Sequence, residues 1–92
     1  MALTIVAQFQ SAPGREAELE TELKMLVMPT RAETGCEVYE LHRSIETAGF
    51  FHFHEIWSST SHWEAHMRSE HLRAFAERSK ELVASSRIFQ ME

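Results

Sequence analysis

The chain is poor in most of the features that announce a function. It has 3 glycines and 2 prolines in 92 residues, with no Gly-rich phosphate loop, Gly-x-Ser-x-Gly elbow, Cys-x-x-Cys pair or dinucleotide fingerprint. The common carriers of nucleotide, acyl-transfer and dithiol chemistry are therefore missing. Its length falls far short of a doubly wound nucleotide-binding sheet or a TIM barrel. Lys plus Arg number 9 against 14 Asp plus Glu, giving a net charge of −5 with no basic stripe. Phosphate-driven binding to nucleic acid and adhesion to an anionic membrane are disfavoured on that account. A single cysteine, Cys36, permits no internal disulfide and fits a cytoplasmic location. Following Gly35 at a strand start, it reads as a small hydrophobe and not as a nucleophile. Residues 1–8 carry neither a basic leader nor an apolar run long enough for a signal peptide or a membrane span.

What the chain does have is histidine: six, five of them between His52 and His71. Around them runs the pattern of one domain, residues 1–92. Residues 3–10 are β-branched and partly alternating, which predicts a strand ending at Ser11-Ala12-Pro13-Gly14. Pro13 suits the first turn of a helix, with Glu16, Glu18 and Glu20 near the positive end of its dipole. Leu19, Leu23, Leu26 and Val27 give that helix one apolar stripe, Pro29 should kink or end it, and Gly35 should stop it. Residues 36–46 and 50–58 read as two strands joined at Thr47-Ala48-Gly49. Ser61 with Glu64 matches a capping box for a short helix carrying Trp63, His66 and Met67. Ser69 can cap a second segment with Leu72, Phe75, Ala76, Leu82 and Val83 at helical spacing, and residues 87–92 form a last strand.

The order β-α-β-β-α-β predicts an α+β, ferredoxin-like antiparallel sheet with two helices on one face. In the third strand Phe51, Phe53, Glu55 and Trp57 share one face, and Phe50, His52, His54 and Ile56 share the other. Neither face is cleanly polar, so both should be covered, the second most simply by another copy of the chain.

Among the histidines, His62 and His66 have the i, i+4 spacing of a chelating pair, and His52 and His54 share a strand face. No third ligand is placed beside either pair by spacing, and surface or interface roles explain them without a metal. His66 and His71 flank the Met67-Arg68-Ser69 break, a natural wall for a pocket. Glu55, a carboxylate on an aromatic face, calls for a partner such as a histidine or an arginine.

The stretches Pro13-Gly14-Arg15-Glu16, Gly35-Cys36-Glu37-Val38-Tyr39-Glu40-Leu41-His42-Arg43, Glu55-Ile56-Trp57 and Glu64-Ala65-His66-Met67-Arg68-Ser69-Glu70-His71-Leu72 resemble the antibiotic biosynthesis monooxygenase domain family, in particular its quinol-monooxygenase-like branch. The resemblance implies a dimeric α/β barrel built from two ferredoxin-like domains. It also implies oxidation of a small quinol or polyphenolic aromatic by dioxygen without metal, flavin, haem or other cofactor. The haem-degrading branch is not favoured, because its Asn, Trp and His match Ala7, His66 and Ala76, none of which keeps the required residue. Under the monooxygenase reading His66 or His71 is the base, Glu55 orients an imidazole, and His42 or Arg43 steadies the anion. Tyr39, Phe53, Trp57 and Trp63 are then expected to line the substrate site. Two alternatives stand beside it: an isomerase of a small phosphorylated metabolite, with Arg43, Arg68 and Arg73 as the available cations, and a non-catalytic ligand-binding dimer.

Overall fold

Burial alternates along the central strands of the computed structural model, which describes residues 2–92 and leaves Met1 outside. In β1 (Leu3–Ser11) Leu3, Ile5 and Ala7 are buried, and in β3 (Phe50–Trp57) Phe51, Phe53, Glu55 and Trp57 are, while the intervening residues remain half-exposed. This period of two marks a sheet packed on one side. The chain continues from β1 through α1 (Glu16–Met25) and α2 (Val27–Arg31) to β2 (Cys36–Arg43) and β3, then through α3 (Thr60–Met67) and α4 (Glu70–Leu82) to β4 (Val83–Met91). The strands lie in the order β2-β3-β1-β4, every neighbouring pair antiparallel. This is the ferredoxin-like arrangement expected from the sequence, with each helical stretch broken into two.

Helices α1 and α4 supply Leu19, Leu23, Phe75 and Leu82 to a core that also contains Ile5, Phe51, Phe53 and Trp57. The break between α1 and α2 lies upstream of the proline that causes it. Pro29 lacks an N–H and its ring crowds the carbonyl four residues earlier; that residue is Met25, where α1 ends. The chain tightens there, with Leu26 N–H donating to the Leu23 carbonyl at 3.1 Å.

Three sequence expectations are corrected at element ends. Ser59, not Ser61, caps α3, its hydroxyl accepting from the His62 N–H at 3.2 Å. Strand β2 stops at Arg43 because the Ser44 hydroxyl accepts the Glu46 and Thr47 N–H groups at 3.1 and 3.0 Å, which closes a turn and leaves Ile45 in solvent. Strand β4 begins at Val83, earlier than residue 87, because Val83 already pairs with Ser11 of β1. Ser69 caps α4 as expected, accepting from the Leu72 N–H at 3.3 Å.

The helix-free face carries His42, His52 and His54 among half-exposed Val6, Val38, Phe50 and Ile56. No described helix is long and apolar enough to cross a membrane.

Candidate active site

Three backbone segments bring their side chains to one carboxylate oxygen. Glu33 lies in the turn between α2 and β2, His66 in the last turn of α3 and His71 in the first turn of α4. His66 Nδ1 lies 2.7 Å and His71 Nε2 2.8 Å from Glu33 Oε2, so a proton on each nitrogen is donated to the same acceptor. The turn holding Glu33 depends on Gly35, whose φ is +86° and whose missing Cβ leaves room for the His62 ring. That ring is pinned by the Ser58 and Ser59 hydroxyls, 2.9 and 2.8 Å from Nδ1. His62 is thereby committed to the α3 N-terminus and does not chelate with His66. At the other end of α3, Arg68 and Ser69 N–H groups donate to the Ala65 and His66 carbonyls. The helix break closes so tightly that the His66 and His71 rings stand 6.0 Å apart.

His66 is buried, 2% exposed, and held between two aromatic rings. The Trp57 ring lies 4.7 Å away at 33° and the Tyr39 ring 5.6 Å away at 70°. Burial lowers the imidazole pKa, opposed by the hydrogen bond and charge of Glu33 and assisted by His71. Burial thus favours the neutral ring, and with Nδ1 occupied by Glu33, Nε2 is the nitrogen left without a partner.

Glu55 does not hold an imidazole, which corrects the sequence expectation. Strand alternation places it two residues from Trp57 on the same face, and the indole Nε1–H donates to Glu55 Oε1 at 2.9 Å. The imidazoles find their carboxylate at Glu33 instead. Burial pushes the Glu55 carboxyl up to about 7, the Trp57 hydrogen bond opposing and the charge of Glu33 adding. Tyr39 stacks on Phe53 at 4.4 Å, and burial drives its phenol well above the ordinary range, with the Glu55 charge adding.

A cavity of about 40 Å³ lies between sheet and helices, walled by Tyr39, Phe53, Glu55, Trp63 and His66 and bordered by Met67, Leu72 and Ile88. Trp57 stands behind His66 and is not part of this lining. His42 and Arg43 are not brought to it. His42 projects from the opposite face beside His52, because an even-numbered position on β2 cannot share the side of Tyr39 and Leu41. Arg43 is on the Tyr39 side but four residues farther along, roughly 13 Å, where it pairs with Glu20 of α1 at 3.5 Å. Glu33 was invisible to sequence reasoning, being 33 and 38 residues from the two histidines it joins. No local spacing connects them.

The family model described as antibiotic biosynthesis monooxygenase matches residues 2–78. The chain belongs to this family. Among solved members of the same fold, PA3566 from Pseudomonas aeruginosa is 36% identical with a TM-score of 0.95, covering 98% of this chain and 91% of its own. SO0527 from Shewanella oneidensis is 27% identical with a TM-score of 0.93, covering 98% and 88%. Rv0793 from Mycobacterium tuberculosis has a TM-score of 0.93 at 25% identity, covering 100% and 94%. The family match ends inside α4, so Glu33, His66, His71 and Glu55 all fall within it, while β4 lies beyond.

Proposed function

We propose that the chain is a cofactor-independent monooxygenase that oxidises a small quinol or polyphenol with dioxygen. The observation that carries this reading is the 2.7 Å contact between His66 Nδ1 and Glu33, which leaves the other nitrogen of a buried, neutral imidazole as the free base at an aromatic-walled cavity. His66 Nε2 takes the hydroxyl proton of the substrate, and Glu33 fixes the tautomer and stabilises the imidazolium that forms. The electron-rich anion reduces dioxygen. One oxygen atom enters the ring and the other leaves as water, so quinol plus dioxygen gives hydroxyquinone plus water with no outside reductant. His71 shares the Glu33 oxygen and keeps that carboxylate aimed. Tyr39, Phe53 and Trp63 form the walls, and Glu55 presents a carboxyl that exchanges its proton near neutrality.

A cavity of about 40 Å³ is well below the roughly 150 Å³ of an engineered cavity that accepts benzene. Entry of a ring therefore requires Met67 and Ile88 to move; both border the cavity and are 39% and 47% exposed. A second copy of the chain, in this proposal, covers the open face and its half-exposed Val6, Val38, Phe50 and Ile56. The free Cys36 favours a cytoplasmic setting for the dimer.

Oxygen consumption by metal-stripped protein across a panel of quinols tests the activity. Uptake above buffer autoxidation, with the hydroxylated quinone as product, is expected; uptake equal to autoxidation for every quinol overturns it. The small cavity favours one competing reading, a non-catalytic dimer, which predicts ligand binding without turnover in that same panel.

A further inference from the structure

The Glu33 cluster has a second chemical capacity. Glu33 Oε2, His66 Nδ1 and His71 Nε2 all lie within 4.8 Å of one another, the one such trio of ligand-type side chains among the described residues. Two imidazoles and a carboxylate suit borderline divalent ions such as Zn²⁺, Co²⁺ and Fe²⁺, and poorly suit Mg²⁺ or Ca²⁺, which take oxygen ligands.

The geometry is close to what such an ion needs. A tetrahedral ion bonded at about 2.1 Å keeps its ligand atoms roughly 3.4 Å apart. The present separations from Glu33 Oε2 are 2.7 and 2.8 Å, and all three atoms lie within 4.8 Å of one another, so modest adjustments of the Glu33 and His71 side chains would bring them to that spacing. The cluster is also reachable: the Glu33 and His71 side chains are 18% and 23% exposed, whereas that of His66 is 3% exposed and anchors the inner side. The three residues come from separate segments, each fixed by its own contacts, so the trio is preorganised and not gathered from one loop.

We propose that Glu33, His66 and His71 form a divalent transition-metal site, and that occupancy of this site and service of His66 as a base exclude each other. A metal on Nδ1 obliges the neutral ring to carry its proton on Nε2, so the nitrogen facing the chemistry becomes a donor and can no longer accept a proton. The binding half of the proposal is independent of the oxidation chemistry. The exclusion half rests on the monooxygenase reading.

Titration of the full chain with Co²⁺, followed by visible ligand-field absorption, tests the binding half. One Co²⁺ per chain is expected, with Glu33→Gln and His71→Ala each weakening binding at least about 100-fold, the upper end of what outer-shell losses cost. His54→Ala, on the other face, should bind as the unaltered protein does. Glu33→Gln keeps the side chain's size and an acceptor oxygen, and far-UV circular dichroism checks that it folds. Absence of ligand-field bands, or equal affinity in all variants, overturns the site. Zn²⁺ added to the oxidation assay tests the exclusion half, where inhibition in proportion to occupancy is expected. Undiminished turnover at full occupancy overturns the exclusion, and stimulation by the ion would retain the site while removing His66 as the base.

Discussion

On the helix-covered face His66 and His71 sit 2.7 and 2.8 Å from one Glu33 oxygen, with the His66 side chain 3% exposed; on the open face His42 and His54 stand 3.7 Å from Glu40 Oε1, 58% and 39% exposed. Both arrangements are two imidazoles around a carboxylate. They differ in what water is allowed to do. Exposed pairs at the longer distance are screened and contribute little. The covered cluster is largely shielded from water, so its shorter hydrogen bonds hold both rings in one orientation. The same residue type is therefore held firmly on one face and left largely to solvent on the other. Even the shared lowering of pKa has different company: at His52 burial is joined by the like charges of His42 and His54, whereas at His66 it works against an attracting carboxylate.

The difference should be largest in turnover. If the oxidation runs through the covered cluster, His66→Ala should slow quinol oxidation by about 100- to 10,000-fold, the usual range for losing a general base. Glu33→Gln should lower kcat with little change in KM, since it disturbs the base without touching the walls. His54→Ala should stay within about twofold. Steady-state oxygen uptake measures all three, and equal losses at His54 and His66 would remove the distinction between the faces.

A second contrast lies in stability against pH, with Glu55 as its probe. The folded protein holds the Glu55 proton up to about 7, while the unfolded chain releases it near 4.5, the ordinary value for a glutamate. Between those values the folded state binds more protons, so this group makes stability fall as pH rises and leaves a constant deficit above about 7. The full shift corresponds to about 3 kcal/mol. Glu55→Gln can keep the acceptor for Trp57 Nε1 and removes the titration. Its stability relative to the unaltered chain should improve by up to about 3 kcal/mol from pH 4 to pH 8 in urea unfolding. Parallel stability curves would show that the carboxyl is not held protonated by burial.

Much of the scaffold was legible because it follows short periodicities. Alternation in residues 50–57 assigned the two faces correctly, and Leu19, Leu23 and Leu26 identified the buried side of the first helical stretch. Ser69 announced its own cap. The histidines at residues 66 and 71 drew attention through the helix break between them. Their partner did not, because the chain returns to Glu33 only through tertiary packing of a turn against two helices, enabled by the left-handed conformation of Gly35. Glu55 looked like the natural counter-charge by composition, but its strand neighbour Trp57 supplied a nearer donor. Periodicity says which face a residue occupies; it does not say which long-range partner reaches it first.

The smallest expected effect is also the most direct test of the open face. Glu40→Ala removes the carboxylate between His42 and His54, and in a single chain it should change unfolding free energy by no more than about 0.5 kcal/mol. A second copy covering this face would withdraw water from the same groups, and removal of Glu40 would then weaken association as well as folding. Unfolding midpoints across a dilution series separate the two contributions: variant and parent should converge as the protein is diluted towards monomers and diverge as subunits associate. A loss above about 1.5 kcal/mol at every concentration would mean that Glu40 is held within one chain as firmly as a buried hydrogen-bonded carboxylate. In that case the contrast between the two histidine clusters would not come from solvent exposure, and a different cause would be needed for the firmer hold on the covered face.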